Sequence, residues 1–297
     1  MGADEGRFAG PVAADQFLGQ VGLPGERVGV VARLVGKAET EKVEGEQGPV
    51  RHQLEQVAPV IGTGREAVEQ DDQRPFAVLE AGVDLAAAKL SRLCLQNAAA
   101  LLAALQYCAN HAIGCFRVNS QILPLKTHPN CGYQIDQLPD SSEIVKRFEA
   151  CGGFARSVGL RTCFHPDQFV VLNSPRPEVV ESSIRELEYQ ADVAQWIGAD
   201  VINIHAGGAY GDKAAALAAF ERNLGRLSES ARLRLTIEND DTTYSPADLL
   251  PLCQRSGLPL VYDVHHHRCL PDGLTIEQAT RAALATWNRE PLMHISS

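Results

Sequence analysis

From residue 85 onward, apolar and polar positions are grouped in blocks that read alternately as helix and strand to the end of the chain. An Ala/Leu-rich stretch to about residue 110, and stretches at 144–158, 177–197, 213–228, 246–256 and 276–286, read as helices. Between them lie short apolar runs at 113–118, 160–165, 200–205, 234–238, 258–263 and 292–296, which read as strands. Strands alternating with helices of roughly 10 to 20 residues are the mark of βαβ units and a parallel sheet. The expected architecture is α/β, a TIM (β/α)8-type barrel, incomplete, with about six recognisable βα units.

The first 84 residues differ. They are Gly-rich, contain the charged stretch GKAETEKVEGEQG, lack Trp, Tyr and Cys, and keep no period of 2 or 3.6. The division expected is therefore an atypical extension at 1–84, disordered or non-native, the second case meaning a wrong start or a frameshift, and a barrel domain at 85–297. The alternative for part of the extension is a genuine strand at residues 27–35.

The barrel-like runs share a property that composition does not explain. Each ends on a residue able to bind metal: His165 in CFHPDQF, His205 in VINIHAGGAYG, Glu238 in LTIENDD, Asp263 and His266 in VYDVHHH, and His294 in LMHIS. His128 follows the first strand in FRVNSQILPLKTHP. In a parallel barrel the C-terminal ends of different strands meet at one mouth, so ligands scattered along the chain converge there. One strand-end histidine is weak support, because such residues are more often structural hydrogen-bonders. A set of His, His, Glu, Asp and His at five successive strand ends is far more specific. Glu238, after an apolar run, needs a cation or an ion-pair partner because an isolated buried charge is costly. Mixed imidazole and carboxylate ligands suit Mn, Zn or Fe better than Ca.

Bulk properties narrow the class. No apolar run approaches the roughly 20 residues needed to span a bilayer, and no signal-peptide core is evident at the N-terminus, so a cytoplasmic protein is expected. Eight cysteines without a CxxC pair read as buried thiols. The net charge of −10 argues against a nucleic-acid partner, but residues 1–88 carry 15 acidic against 8 basic residues, leaving the rest nearly neutral. Two or three divalent cations at the mouth would reverse the local field. No GxSxG, P-loop or strand-following GxGxxG competes.

Taken together, FRVNSQILPLKTHP, HPDQFVVLNSP, INIHAGGAYGDK, IENDD, VYDVHHH and HISS resemble the UV damage endonuclease family over about residues 85–297. The resemblance implies a (β/α)8 barrel with two or three divalent ions, usually manganese, that nicks double-stranded DNA immediately 5′ of UV photoproducts. It implies His128, His165, His205, Glu238, Asp263, His266 and His294 as metal ligands, with Glu238, His205 and His266 central to catalysis. Gln168 and Phe169 match a Gln-Tyr pair that probes the duplex, Phe standing for Tyr; the alternative for Phe169 is ordinary core packing. Lys213, Arg117 and Asn119 are expected at phosphate or sugar.

Departures from the family pattern set further expectations. No counterpart of the family's first strand is recognisable before residue 85, the last strand with its ligand carboxylate is missing, and Leu292 stands where some members carry a lysine. A sugar isomerase or epimerase of the same barrel type is the alternative enzyme, and an inactive truncated fragment is the alternative of another kind. Protein partners are unspecified.

Overall fold

The computed structural model describes residues 29–32 and 76–295, with side chains from residue 85. Its elements in chain order are β1 (Gly29–Ala32), α1 (Phe76–Asn110), β2 (Cys115–Val118), α2 (Ser141–Ser157), β3 (Arg161–Phe164), α3 (Pro177–Ile197), β4 (Val201–His205), α4 (Lys213–Leu224), α5 (Glu229–Arg234), β5 (Leu235–Glu238), α6 (Pro246–Ser256), β6 (Leu260–Asp263), α7 (Val264–Cys269), α8 (Ile276–Leu284) and β7 (Leu292–Ile295). All the strands are parallel, in the order β1-β7-β6-β5-β4-β3-β2. The backbones of β1 and β2, the two outer strands, also come into contact, so the sheet curls almost shut as a TIM-type barrel.

The sheet corrects the count of six strands. Gly29–Ala32 pairs with Leu292–Ile295 as a seventh, from within the segment whose strand reading was the alternative. It has few neighbours in sequence to set a period, and pairing supplies what pattern could not. The other residues of 1–75 lie outside the described ones, and α1 begins at Phe76. The expected helix at 213–228 divides instead into α4 and α5, with the Ser228 hydroxyl accepting from Ala231 N to start the second. Gly198, at φ 74°, terminates α3 in the left-handed region where a side chain would be strained.

Alternation along each strand sorts the residues into two sets. Phe164, Ile202, Ile204, Leu235, Ile237, Leu260, Tyr262 and Met293 pack against the helices in the main core. The intervening positions point into the barrel. Cys163, Val201, Val261 and Leu292 form a small apolar plug there. Above it the polar Asn203 and Thr236 pair in register, and above them His205 pairs with Glu238 and Asp263 with His294. Period two therefore carries the inner face of each strand from apolar floor to ionisable mouth.

Candidate metal centre

Glu238 is wholly buried at the end of β5 and collects side chains from four neighbouring segments. Its Oε2 accepts from Asn203 Nδ2 and lies 3.0 Å from His165 Nε2; its Oε1 lies 2.8 Å from His294 Nδ1. His266 Nδ1 is 3.5 Å from Oε1 and His205 Nε2 is 3.9 Å from Oε2. Two ligand groups result, His165/His205/Glu238 and Glu238/Asp263/His266, each with ligand atoms within 4.8 Å of one another. Glu238 belongs to both. His294 joins them at the rear, 3.8 Å from Asp263 Oδ2.

The supports are local and mostly backbone. α7 starts directly at the end of β6, so Asp263 caps it by accepting from His266 N at 2.9 Å. That places His266 one turn along, where its Nδ1 donates to Asn239 O at 2.9 Å and its Nε2 is left for a ligand. Asn239 clamps Asp263 on both sides, donating to its carbonyl at 3.0 Å and accepting from its N–H at 2.9 Å. Asn203, which holds Glu238, is itself held by Thr236 Oγ1 at 3.0 Å. Asn203 escaped sequence reading, although it lies two residues before His205 on the same inner face.

Three observations fit a cation at this place. His165 has oxygen acceptors at both ring nitrogens, Pro166 O at 3.1 Å and Glu238 at 3.0 Å, while a neutral imidazole carries one N–H. His205 Nδ1 is buried without a partner. The donors themselves are the imidazole and carboxylate mixture that divalent transition metals prefer. Electrostatics agree. Burial works against ionising Glu238, but His294, His165 and His205 outweigh it and hold its carboxyl well below the usual carboxylate range. Burial likewise opposes a proton on His294, and the Glu238 charge overrides it and raises that group. Burial lowers His205, which favours the neutral, ligating form.

Other expected site residues lie elsewhere. His128 is outside both groups, on an exposed loop, where its Nδ1 accepts from the N–H of Asn130 and of Cys131 and lies 3.0 Å from Cys131 Sγ. Gln168 is exposed, and Phe169 is 76% exposed with its N–H held by Asp167, which overturns core packing for it. Arg117 donates to His165 O at 2.9 Å and Asn119 caps Gln121 N; both are exposed. Lys213 is tied to Asp248 at 2.8 Å. Buried thiols were expected throughout, but Cys131 and Cys269 are exposed because their loop and helix end face outward.

The family model of the UV-endonuclease UvdE matches residues 79–297. The UV DNA damage endonuclease of Bacillus velezensis is 36% identical over 203 residues, which is 66% of this chain and 62% of that protein. The UV-damage endonuclease of Neurospora crassa is 38% identical over 198 residues, 64% of this chain and 29% of that one. The chain thus spans less than two thirds of the length of these relatives. The solved structure of SacUVDE is 30% identical and superposes with a TM-score of 0.65 over 78% of this chain and 75% of that one. A strand-end cluster centred on one shared carboxylate, on a barrel that superposes with SacUVDE, and a match from residue 79 to the last residue place this chain in the UV-endonuclease UvdE family.

Proposed function

We propose that this chain is a DNA repair endonuclease that cuts duplex DNA 5′ of a UV photoproduct by metal-dependent phosphodiester hydrolysis. The observation that carries this reading is Glu238, a fully buried carboxylate common to two ligand groups. His165, His205, Glu238, Asp263, His266 and His294 would hold two divalent ions, Mn²⁺ on the family resemblance. When bound there, such ions would supply Lewis-acid polarisation of a phosphodiester and activation of water near neutral pH. The protein's share is preorganisation: Asn203 holds the Glu238 carboxylate, Asn239 holds the backbone of Asp263, and burial lowers His205 toward its neutral form.

Selectivity would come from the rim. Gln168 and Phe169 project from the loop after β3, beside His165, where an aromatic ring can enter a weakened stack. A photodimer has already lost pairing and stacking, so opening the duplex there costs less than at a normal step. The products are a 3′-hydroxyl and a 5′-phosphate. Arg117 and Asn119 stand near enough in sequence to β2's outer end to serve the backbone. Among the described residues no helix is long and apolar enough to cross a membrane.

The test is a nicking assay with Mn²⁺ on a duplex carrying one defined pyrimidine dimer, with an undamaged control and mapped product ends. One cut 5′ of the dimer is expected. Equal cutting of the undamaged duplex, or none of either while the protein is folded and metal-loaded, would overturn the reading.

A further inference from the structure

Exposed large apolar side chains on this barrel divide by end. Ile113, Val158 and Leu233 precede β2, β3 and β5, and Leu85 and Tyr107 lie on α1. Leu125, Phe169 and Tyr210 instead follow β2, β3 and β4, the end at which His165, His205 and Glu238 emerge. Those three strands are neighbours with β3 in the middle, so the Phe169 loop is flanked by the Leu125 loop on one side and the Tyr210 loop on the other.

Tyr210 is 53% exposed and sits at φ 49°; Leu125 sits at φ 60°. With Ala112 they are the only non-glycine residues of the described set at positive φ, a region that disfavours bulky side chains. The strain at Tyr210 is maintained by a loop anchored twice: Gly208 O accepts from Asn173 Nδ2 at 2.7 Å and from Tyr244 Oη at 3.1 Å. Gly207 abuts the chain that carries Phe169, since a Cβ there would stand 2.3 Å from Asn173 Oδ1. Gly208 lies beneath the phenol end of the Tyr210 ring, where a Cβ would come within 3.1 Å of Cζ. One side of the ring is thereby seated on the loop while much of its surface stays open. The fold gains little burial from a ring so exposed, yet it seats the ring against Gly208 in the loop that follows His205. Rigid, presented aromatics are what stacking contacts to nucleotides require.

We propose that Tyr210 is a second nucleic-acid contact, its open face packing on a sugar or base of the duplex next to the nucleotides that Phe169 engages, with Leu125 as the apolar contact on the opposite flank. The proposal rests on the endonuclease reading and adds a residue to it. A contact of this kind acts through the ring and not through charge, which sets it apart from a phosphate contact.

The experiment is steady-state nicking of the dimer-containing duplex by the full chain with Mn²⁺ over a salt series, using Tyr210→Gly, Tyr210→Asn and Tyr210→Phe. Gly and Asn both tolerate positive φ, so each removes the ring without adding backbone strain. Expected for both are an unchanged or higher melting temperature and a KM raised about tenfold, with an unchanged slope of log KM against log salt. Tyr210→Phe should stay within about twofold of wild type, because the ring remains. Wild-type KM in folded Gly and Asn variants, a Phe variant as poor as Gly, or a melting temperature lowered in both Gly and Asn variants would overturn it. Wild-type protein that cuts no dimer would remove the functional reading itself, whereas cutting with silent Tyr210 variants removes this proposal alone.

Discussion

Glu238 and Asp272 are both carboxylates held by histidine, and their surroundings show two ways of satisfying such a group. Asp272 is saturated by the fold: Oδ2 accepts from Ala247 N at 2.7 Å, and Oδ1 accepts from Leu274 N at 3.0 Å and from His267 Nε2 at 2.9 Å. His267 then accepts at Nδ1 from the buried Tyr262 hydroxyl at 2.7 Å, so each ring nitrogen has one matched role. Around Glu238 the balance fails. Four imidazoles approach it, one of them is faced by acceptors on both sides, and another keeps a buried nitrogen without a partner. A closed hydrogen-bond network braces a fold; a cluster with unmatched donors and acceptors is built for something the chain does not itself contain.

Substitutions that keep shape and remove charge test this contrast most sharply. Glu238→Gln should lower incision of dimer-containing DNA by about a thousandfold or more while the circular dichroism spectrum and melting temperature stay near wild type, since the shared negative charge goes and the volume remains. Near-wild-type cutting by that variant would remove Glu238 from the chemistry.

Asp272→Asn should have the opposite profile, a loss of about 2 kcal/mol of stability measured by denaturant unfolding, with kcat of the folded protein preserved. Its pH dependence is also set. Burial resists the Asp272 charge, and the N–H groups of Ala247 and Leu274 with His267 overcome it and hold the group below its ordinary value. A depressed carboxylate contributes stability above its unfolded value, and that contribution is lost as pH falls through the folded one. The wild-type melting temperature should therefore drop on the acid side more steeply than that of Asp272→Asn; parallel curves would show that Asp272 is not the brace described.

Two smaller effects separate rim from centre. Phe169→Ala should reduce incision about tenfold and leave Mn²⁺ affinity, followed by calorimetry, unchanged; a matching fall in metal affinity would tie Phe169 to the centre and not to the substrate. Lys213→Met should alter KM by less than about twofold, because its ammonium is already engaged by Asp248. A salt slope reduced by about one unit in that variant would instead put Lys213 on a phosphate.

The three histidines of VYDVHHH show how far a local pattern reaches. His265 is exposed, His266 is half-buried beside Glu238, and His267 is buried against Tyr262 and Asp272. Sequence reading placed His266 at the centre as a strand-end ligand of VYDVHHH, but nothing local distinguishes His267 as a brace, since Tyr262 is five residues behind it and Asp272 five ahead, on separate elements. His128 shows the converse: a motif placed it among the ligands, while the loop that carries it turns its Nδ1 onto Asn130 and Cys131.

By itself the sequence determined the alternation of strand and helix, the mouth-end position of His165, His205, Glu238, Asp263 and His294, and family membership through its motifs. These follow from periodicity, because the inward face of a strand is set by every second residue and its C-terminal end by where the apolar run stops. Tertiary structure decided the rest: the seventh strand, which exists through pairing with Leu292–Ile295; the bonds by which Asn203 holds the Glu238 carboxylate and Asn239 the Asp263 backbone; the exposure of Phe169; and the strained seat of Tyr210. Each of these depends on contacts between segments far apart in the chain, whose energies no local pattern records.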